Sequence, residues 1–310
     1  MNILTRANQK GIKKGLSVQT QCYLLIGLQI IGFFVFTIYP ILWAAAKSWF
    51  FYDGIDANTI FVGWDNFKTI FTKDYIYWNT WLTTFKFTVY KTFLEIPIAL
   101  LLATLISKGL KGSNFFRSMF YLPNIISVAI IGVVFSNLFD YFGVMNNILL
   151  KLGFIDQPID WFAKTGTSLA VLVIGSAWQT FGINVLYFCA AINNVPNVMY
   201  EAAEIDGAGS IRQFFSITLP MIAPVFSTLM LLSINGTLHT SSYILVMTNG
   251  APAGTTFTVG AYLVNKFVPG FAEGVVNIGY GCALSLVTSA IYSIIAVIYM
   301  KSTKKLKNLY

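Results

Sequence analysis

The chain has 310 residues, of which 56% are hydrophobic and 10% are charged, and its formal net charge is +8. Soluble domains carry about 25% charged residues, so this chain has too little polar side chain to cover a water-facing surface. This excludes a typical cytosolic enzyme, a disordered protein and a disulfide-rich secreted domain. The three cysteines (Cys22, Cys189 and Cys282) lie far apart in apolar stretches, and His239 is the single histidine, so neither a disulfide framework nor a metal site is indicated.

Six stretches are long and apolar enough to cross a bilayer, since a spanning helix needs about 20 predominantly apolar residues. The chain is therefore predicted to be an all-α membrane protein with six transmembrane helices. The first stretch follows a basic tail like a signal peptide, but its apolar part exceeds the roughly 7–15 residues of a secretory signal and predicts an uncleaved helix. Residues 142–152 are too short to span and predict a re-entrant or interfacial helix. The six predicted spans are roughly 21–45, 83–107, 117–139, 167–191, 219–241 and 277–300.

Lysine and arginine predict the orientation, because short cytoplasmic loops carry an excess of both. The two tails (1–20 and 301–310) and the loops after the second and fourth spans hold 12 of these residues. The opposite side holds 6, together with 8 of the 12 acids. Both termini are therefore predicted to be cytoplasmic in a multi-pass protein of the plasma membrane. The excess of Lys and Arg on the cytoplasmic side accounts for the net positive charge, so the charge does not indicate a nucleic-acid interface.

The second predicted span contains Lys86, Lys91 and Glu95. A charge at the bilayer centre costs about 2.5–3.5 kcal/mol, whereas each Leu, Ile, Phe or Val returns only about 0.3–0.6 kcal/mol. Lys91 and Glu95 are therefore predicted to face protein or water, and their i, i+4 spacing permits an ion pair. Two interpretations stay open, namely the wall of a hydrophilic pathway and a structural ion pair against a neighbouring helix. The polar stripe that carries the pair consists of Thr84, Thr88, Lys91, Thr92 and Glu95.

The stretch between the fourth and fifth spans predicts two short helices with a turn between them. Pro196 suits the first turn of a helix, and Gly207 and Gly209 permit a sharp stop. Ser210 and Gln213 fit a capping box at the start of the second helix. Small and apolar residues in such a loop indicate either contact with another surface or an amphipathic loop lying on the lipid headgroups.

The same stretch carries a specific sequence signature. Glu201-Ala202-Ala203, three residues, Gly207, nine residues, Ile217, one residue and Leu219-Pro220 resemble the EAA motif of binding-protein-dependent ABC importer permeases. Tyr200 to Ala208 is similar to the sugar branch of maltose-permease type, with Pro220 predicted to begin the fifth span. We call residues 196–220 the EAA segment. The resemblance implies the type I ABC importer permease fold, with a core at 80–300 after a first helix at 21–45. It also implies a coupling helix that docks on an ATPase through Glu201, Ala202, Ala203, Asp206 and Gly207.

Candidate substrate contacts follow from the same resemblance, because relatives of maltose type bind substrate with three core helices near mid-membrane. The residues themselves give partial support, since two sets of polar residues repeat at three- and four-residue spacing and so share a helix face. Such spacing is also how small residues pack membrane helices together, and both interpretations stay open. His239 is predicted to be a structural or rim residue. The positions implied by the resemblance are Asn124, Ser176, Gln179, Thr180, Ser233, Thr237 and Thr240. The Trp178 ring is in addition suited to stack on a pyranose face.

The resemblance implies a subunit that moves a sugar or oligosaccharide across the membrane by alternating access. No G-x-x-x-x-G-K-[ST] loop occurs in the chain, so ATP hydrolysis is expected on a separate dimeric cytoplasmic ATPase that holds ATP and Mg²⁺, with no cofactor on this chain. The expected partners are a second permease subunit in a heterodimer, an extracellular or periplasmic solute-binding protein and the lipid bilayer. The alternatives are an ion-coupled secondary transporter, which usually has inverted repeats or broken helices, a permease for a glycerol phosphodiester or phosphate ester, and an intramembrane enzyme, for which no catalytic constellation is found.

Overall fold

The fold is that of a computed structural model, which describes residues 17–107, 112–272 and 276–307. Half of the 12 basic residues predicted to be cytoplasmic lie outside the described residues, namely Arg6, Lys10, Lys13, Lys14, Lys108 and Lys111. The side chains of 303–307 are outside the description as well.

The first span is one long helix with a wider turn in its middle. Helix α1 (Val18–Phe33) continues through a π-helical turn (Phe34–Ile38) into α2 (Tyr39–Lys47), where Tyr39 N–H donates to the Phe34 carbonyl. The wider turn directly precedes Pro40, whose ring would crowd the carbonyl four residues earlier in a regular α-helix. The predicted first span is therefore confirmed as a helix.

A short segment with a β-hairpin and one helix joins the first span to the second. Strands β1 (Phe50–Phe51) and β2 (Ile60–Phe61) form an antiparallel hairpin with Phe50 opposite Phe61. A 3₁₀ turn (Asp56–Asn58) lies between the strands. Two helices follow, α3 (Asp65–Thr72) and the 33-residue α4 (Tyr75–Ser107).

The third predicted span is not one helix. Helices α5 (Ser113–Ile125) and α6 (Val128–Leu138) meet at an angle of 94°, so the expectation of a single helix over 117–139 is corrected. The bend leaves the Ile126 carbonyl without a helical partner, and Gln179 Nε2 donates to it at 3.2 Å from the fourth span. Among the described residues there are five unbroken helices long and apolar enough to cross a membrane, or six spans if the bent pair is one.

The fifth span also differs from its predicted bounds. The spanning helix runs from Ser210 to Leu238 through a second π-helical turn (Phe214–Thr218), so it begins nine residues before the predicted 219. Pro220 follows this turn as Pro40 follows the first. The remaining helices are α7 (Val144–Lys151), α8 (Thr165–Asn193), α9 (Asn197–Ile205), α10 (Ser210–Gln213), α11 (Leu219–Leu238), α12 (Ser242–Met247), α13 (Val259–Phe267) and α14 (Ile278–Lys307).

Helix α4 is the centre of the bundle, packing along α8 and also against α11 and α13. Two clusters of buried apolar side chains lie on either side of its midpoint. Close contact of α8 with α5 depends on Gly182, where a Cβ would collide with the Phe120 carbonyl. The first cluster includes Tyr77, Phe87, Leu172, Ile244 and Leu284, and the second includes Ile96, Val185, Phe188 and Ile222.

Candidate functional site

A cleft of about 460 Å³ opens where α4, α8 and α11 meet, and we call it the central cleft. Lys91, at the midpoint of α4, is on its wall. Ten of the 17 residues that line it carry a hydroxyl or amide side chain. The predicted residues that line it are Lys91, Glu95, Ser176, Gln179, Thr180, Ser233 and Thr240.

Glu95 is the most connected side chain of the central cleft and is only 1% exposed. Lys91 Nζ donates to its Oε2 at 2.7 Å, and Ser233 Oγ donates to the same oxygen at 3.3 Å. Asn184 Nδ2 donates to Oε1 at 2.6 Å. The carboxylate therefore ties α4 to α8 and α11, and its bonds to charged and amide donors are of the short, strong kind.

The predicted i, i+4 ion pair between Lys91 and Glu95 is confirmed, and all five residues of the polar stripe are buried. Lys86, in contrast, is exposed on the surface of this chain. The two interpretations left open for the pair are compatible, because Glu95 bonds to neighbouring helices and the pair also lines the central cleft.

Helix α8 supplies one wall of the central cleft through Ser176, Gln179 and Thr180, as the spacing predicts. Trp178 does not join them. It is 40% exposed, and its ring packs 5.6 Å from that of Phe135. Trp178 is two residues after Ser176, so its side chain points about 200° around the helix from that of Ser176. This position does not support the predicted stacking of Trp178 on a sugar in the central cleft.

Helix α11 supplies the second wall. Ser233 and Thr240 line the central cleft, whereas Thr237 is buried and its hydroxyl donates to the Ser233 carbonyl at 2.6 Å. Asn124, near the end of α5, is half-buried outside the lining. The prediction that Thr237 and Asn124 face solute is therefore not supported by this cleft.

Ten lining residues were absent from the predicted set, and Asn184 and Tyr187 are the polar ones among them on α8. Asn184 follows Thr180 by four residues and extends the same face of α8, so the spacing could have indicated it. Tyr187 follows Asn184 by three residues and Thr180 by seven, so the same spacing could have indicated it. His239 is at the edge of the central cleft with Nδ1 2.8 Å from the Asn235 carbonyl and its ring 4.4 Å from that of Tyr292, as expected of a rim residue.

A second, larger cavity of about 980 Å³ lies where α4, α8 and α13 meet the loop 248–257, and we call it the end cavity. Thr83 Oγ1 donates to the Thr255 carbonyl at 3.1 Å, and Asn265 Nδ2 donates to Asn249 Oδ1 at 3.1 Å. Burial, with a smaller contribution from the Asp74 carboxylate, raises the pKa of Tyr262 to about 12. Tyr262 is therefore a neutral hydroxyl in this wall. The cavity joins helix ends to a loop, so no local sequence pattern indicated it.

The EAA segment projects from the end of the bundle where α8 ends and α10 begins. Gly207 has φ +75°. Its N–H donates to the Glu204 carbonyl at 3.0 Å, and the Ala208 N–H donates to the Ala203 carbonyl at 2.8 Å. This pair of bonds is the Schellman motif that closes a helix on a left-handed glycine, so the predicted stop at Gly207 is confirmed.

The predicted capping box after this turn is wrong. Gly209 occupies the cap of α10, and the Ser210 side chain makes no capping hydrogen bond. Gln213 Nε2 donates instead to the Ala208 carbonyl at 3.0 Å. Gln213 therefore fastens the turn to the following helix rather than capping its first turn.

Helix α9 exposes a mixed acidic and apolar surface. Glu201, Ala202 and Asp206 are exposed. Ile205 is 88% exposed, which is unusual for a large apolar side chain. On the opposite face the Tyr200 hydroxyl is hydrogen-bonded to Thr218 Oγ1 at 2.9 Å, which ties α9 to the π-helical turn of the fifth span. The surface therefore projects from a firmly attached helix.

A cleft lined by Lys91, Glu95 and several hydroxyl and amide side chains, set between membrane-spanning helices, is a feature of a membrane permease. Residues 95–304 match the family described as binding-protein-dependent transport system inner membrane component, and the chain belongs to that family of ABC importer permeases. The resemblance carried by the EAA motif is thereby confirmed.

Individual relatives agree with this family. The chain is 34% identical over 284 residues to the probable ABC transporter permease protein YesP of Bacillus subtilis (strain 168), covering 91% of this chain and 89% of that protein. It is 33% identical to the arabinooligosaccharides transport system permease protein AraP of the same organism, covering 92% and 89%. Its fold is similar to that in a bacterial alginate ABC transporter in complex with an alginate pentasaccharide-bound periplasmic protein, with TM-score 0.80, 20% identity and coverage of 93% and 95%.

Proposed function

We propose that this chain is one of two permease subunits of an importer for a sugar or oligosaccharide, which crosses the membrane through the central cleft. The observation that carries the proposal is the convergence of Ser176, Gln179, Thr180 and Ser233 on one cleft at the midpoint of α4. Hydroxyl and amide side chains are donors and acceptors at once, which suits a solute rich in hydroxyl groups. The name of the relative AraP gives the same substrate class.

Energy is proposed to enter through the EAA segment, which docks on a separate ATPase subunit carrying ATP and Mg²⁺. Ile205 and the neighbouring alanines offer an apolar centre for that contact, and Glu201 offers a charge for a basic group on the ATPase. Both termini are then proposed to be cytoplasmic, on the same side as the EAA segment. A solute-binding protein delivers the sugar at the opposite end, where the end cavity opens.

The proposed cycle is alternating access between two permease subunits. Closing of the ATPase dimer moves α9, and the Tyr200–Thr218 hydrogen bond transmits that movement to the fifth span. The fifth span carries Ser233 into the central cleft, so movement of α9 changes the cleft that holds the solute.

The experiment is uptake of radiolabelled sugar by the complete complex in proteoliposomes. With Glu201→Lys we expect ATP-dependent uptake to be lost while the complex still assembles, because the docking charge is reversed on an exposed residue. The charge-matched control is Asp156→Lys, an exposed acid far from the EAA segment, which keeps ATP-dependent uptake.

The break between α5 and α6 favours testing one alternative, because ion-coupled transporters use broken helices. Proteoliposomes with an imposed proton or sodium gradient and no ATP separate the two functions. Uptake under these conditions, unchanged by Glu201→Lys, would contradict the proposed importer.

A further inference from the structure

The central cleft has no net charge in this chain. Among the residues that the structure describes, its lining contains one cation, Lys91, and one anion, Glu95, and their charged atoms lie 2.7 Å apart. The other titratable groups of the lining are His239, Tyr187 and Tyr243. The rest of the wall is neutral hydroxyl, amide and apolar surface.

An anionic solute would compete with Glu95 for Lys91. Glu95 is 1% exposed and Lys91 is 5% exposed, so neither charge is solvated by water when the pair separates. Leaving one partner of a buried pair without the other is strongly destabilising. A solute carboxylate or phosphate therefore gains a cation only by leaving a buried carboxylate uncompensated.

An uncharged solute meets no such conflict. A carboxylate has about four acceptor positions, and Glu95 uses three of them for Lys91, Asn184 and Ser233. A sugar hydroxyl carries no charge that competes for Lys91, and it finds neutral hydroxyl and amide partners on the same wall. The same network also fixes the Asn184 and Ser233 side chains, which orient the polar wall.

We infer that Glu95 is a specificity-determining residue that holds Lys91 and so restricts the central cleft to uncharged solutes. The inference rests on the proposed function and narrows the substrate class to neutral sugars. It excludes acidic sugars and phosphate esters as substrates. The fold itself does not decide this point, because the alginate transporter of the same fold imports an acidic polysaccharide.

The test compares two disaccharides of equal size, galactobiose and digalacturonate, which differ by hydroxymethyl and carboxylate groups. Their dissociation constants are measured by calorimetry on the complete purified complex at pH 8, above the range in which histidines usually titrate. In Glu95→Gln we expect the affinity for digalacturonate to rise about tenfold or more, as one released charged donor provides. The affinity for galactobiose should change less than about threefold.

Two further variants isolate the charge. Lys91→Gln combined with Glu95→Gln removes both ions, and the gain for digalacturonate must disappear. Thr180→Lys adds a cation to the cleft wall while the pair stays intact, and it should raise digalacturonate affinity as well. This variant keeps the test decisive if Glu95→Gln does not assemble.

The outcomes distinguish this inference from the proposed function. The inference is overturned if the unmodified complex binds digalacturonate more tightly than galactobiose. It is also overturned if neither Glu95→Gln nor Thr180→Lys gains affinity for digalacturonate. In both cases the proposed function stands, provided that sugar uptake is observed and is lost in Glu201→Lys. Absence of ATP-dependent sugar uptake would overturn the proposed function even if the charge switch is observed.

Discussion

The EAA segment and the central cleft each present an acidic residue, but Glu201 is exposed whereas Glu95 accepts hydrogen bonds from side chains of three helices. The turn at Gly207 in the EAA segment is closed by hydrogen bonds between residues five or fewer apart, such as Ala208 to Ala203. The shape of the central cleft comes from contacts between residues up to 138 apart.

This difference predicts how substitutions act in the two regions. In the central cleft a side chain supports both the bundle and the solute site, so stability and transport change together. In the EAA segment the exposed side chains support little else in this chain, so transport changes while the bundle stays folded. Three substitutions, each with a matched control, test this difference through their effect on the free energy of unfolding.

Lys91→Leu is expected to have the largest effect. It leaves Glu95 charged, buried and without its cation, which costs about 3–5 kcal/mol. The control is Lys86→Leu in the same helix, where the side chain is exposed and little change is expected. SDS titration and thermal unfolding of the purified complex measure both variants. Equal stability of the two variants would mean that the buried pair does not support the bundle.

The same difference explains what the sequence alone could predict. The coupling turn was predictable because Gly207, the alanines and Glu201 act within one short stretch of chain. The face of α8 was predictable in part because Ser176, Gln179 and Thr180 repeat at helical spacing. In both cases the decisive contacts are local or periodic.

Features decided by distant residues were not predictable in this way. The break between α5 and α6 leaves the Ile126 carbonyl to be satisfied by Gln179, 53 residues away, and this partner is not visible in the sequence of 117–139. Thr237 belongs to a polar face, but its hydroxyl is used by the helix backbone. Trp178 shows the same limit, since aromatic character does not reveal that its ring packs on Phe135.

Gly182→Ala is expected to cause the second-largest loss in the free energy of unfolding. A Cβ there would collide with the Phe120 carbonyl, and a backbone atom cannot move aside as a flexible side chain can. Separating α8 from α5 should cost about 2–3 kcal/mol of unfolding free energy. The control is Gly166→Ala in the same helix, where no atom lies within 4 Å of the new Cβ. A loss of the same size in both variants would point to backbone flexibility instead of the close contact.

Gly207→Ala is expected to have the smallest effect on stability and a clear effect on transport. The residue is exposed and its Cβ would meet no atom within 4 Å, so the cost is that of a left-handed backbone, about 1 kcal/mol. The turn that sets α9 against α10 is the part that changes. ATP-dependent uptake should therefore fall although the unfolding midpoint of the complex shifts little.

Gly209→Ala is the matched control for this last substitution, because it is two residues away in the same turn. Its φ is −67°, an ordinary value for alanine, and its Cβ would also meet no atom within 4 Å. Uptake by Gly209→Ala should stay close to that of the unmodified complex. If both variants lose uptake equally, contact of an added methyl group with the ATPase, and not the left-handed turn, governs coupling. If neither loses uptake, the turn angle at Gly207 is not what transmits the movement of the ATPase to the central cleft.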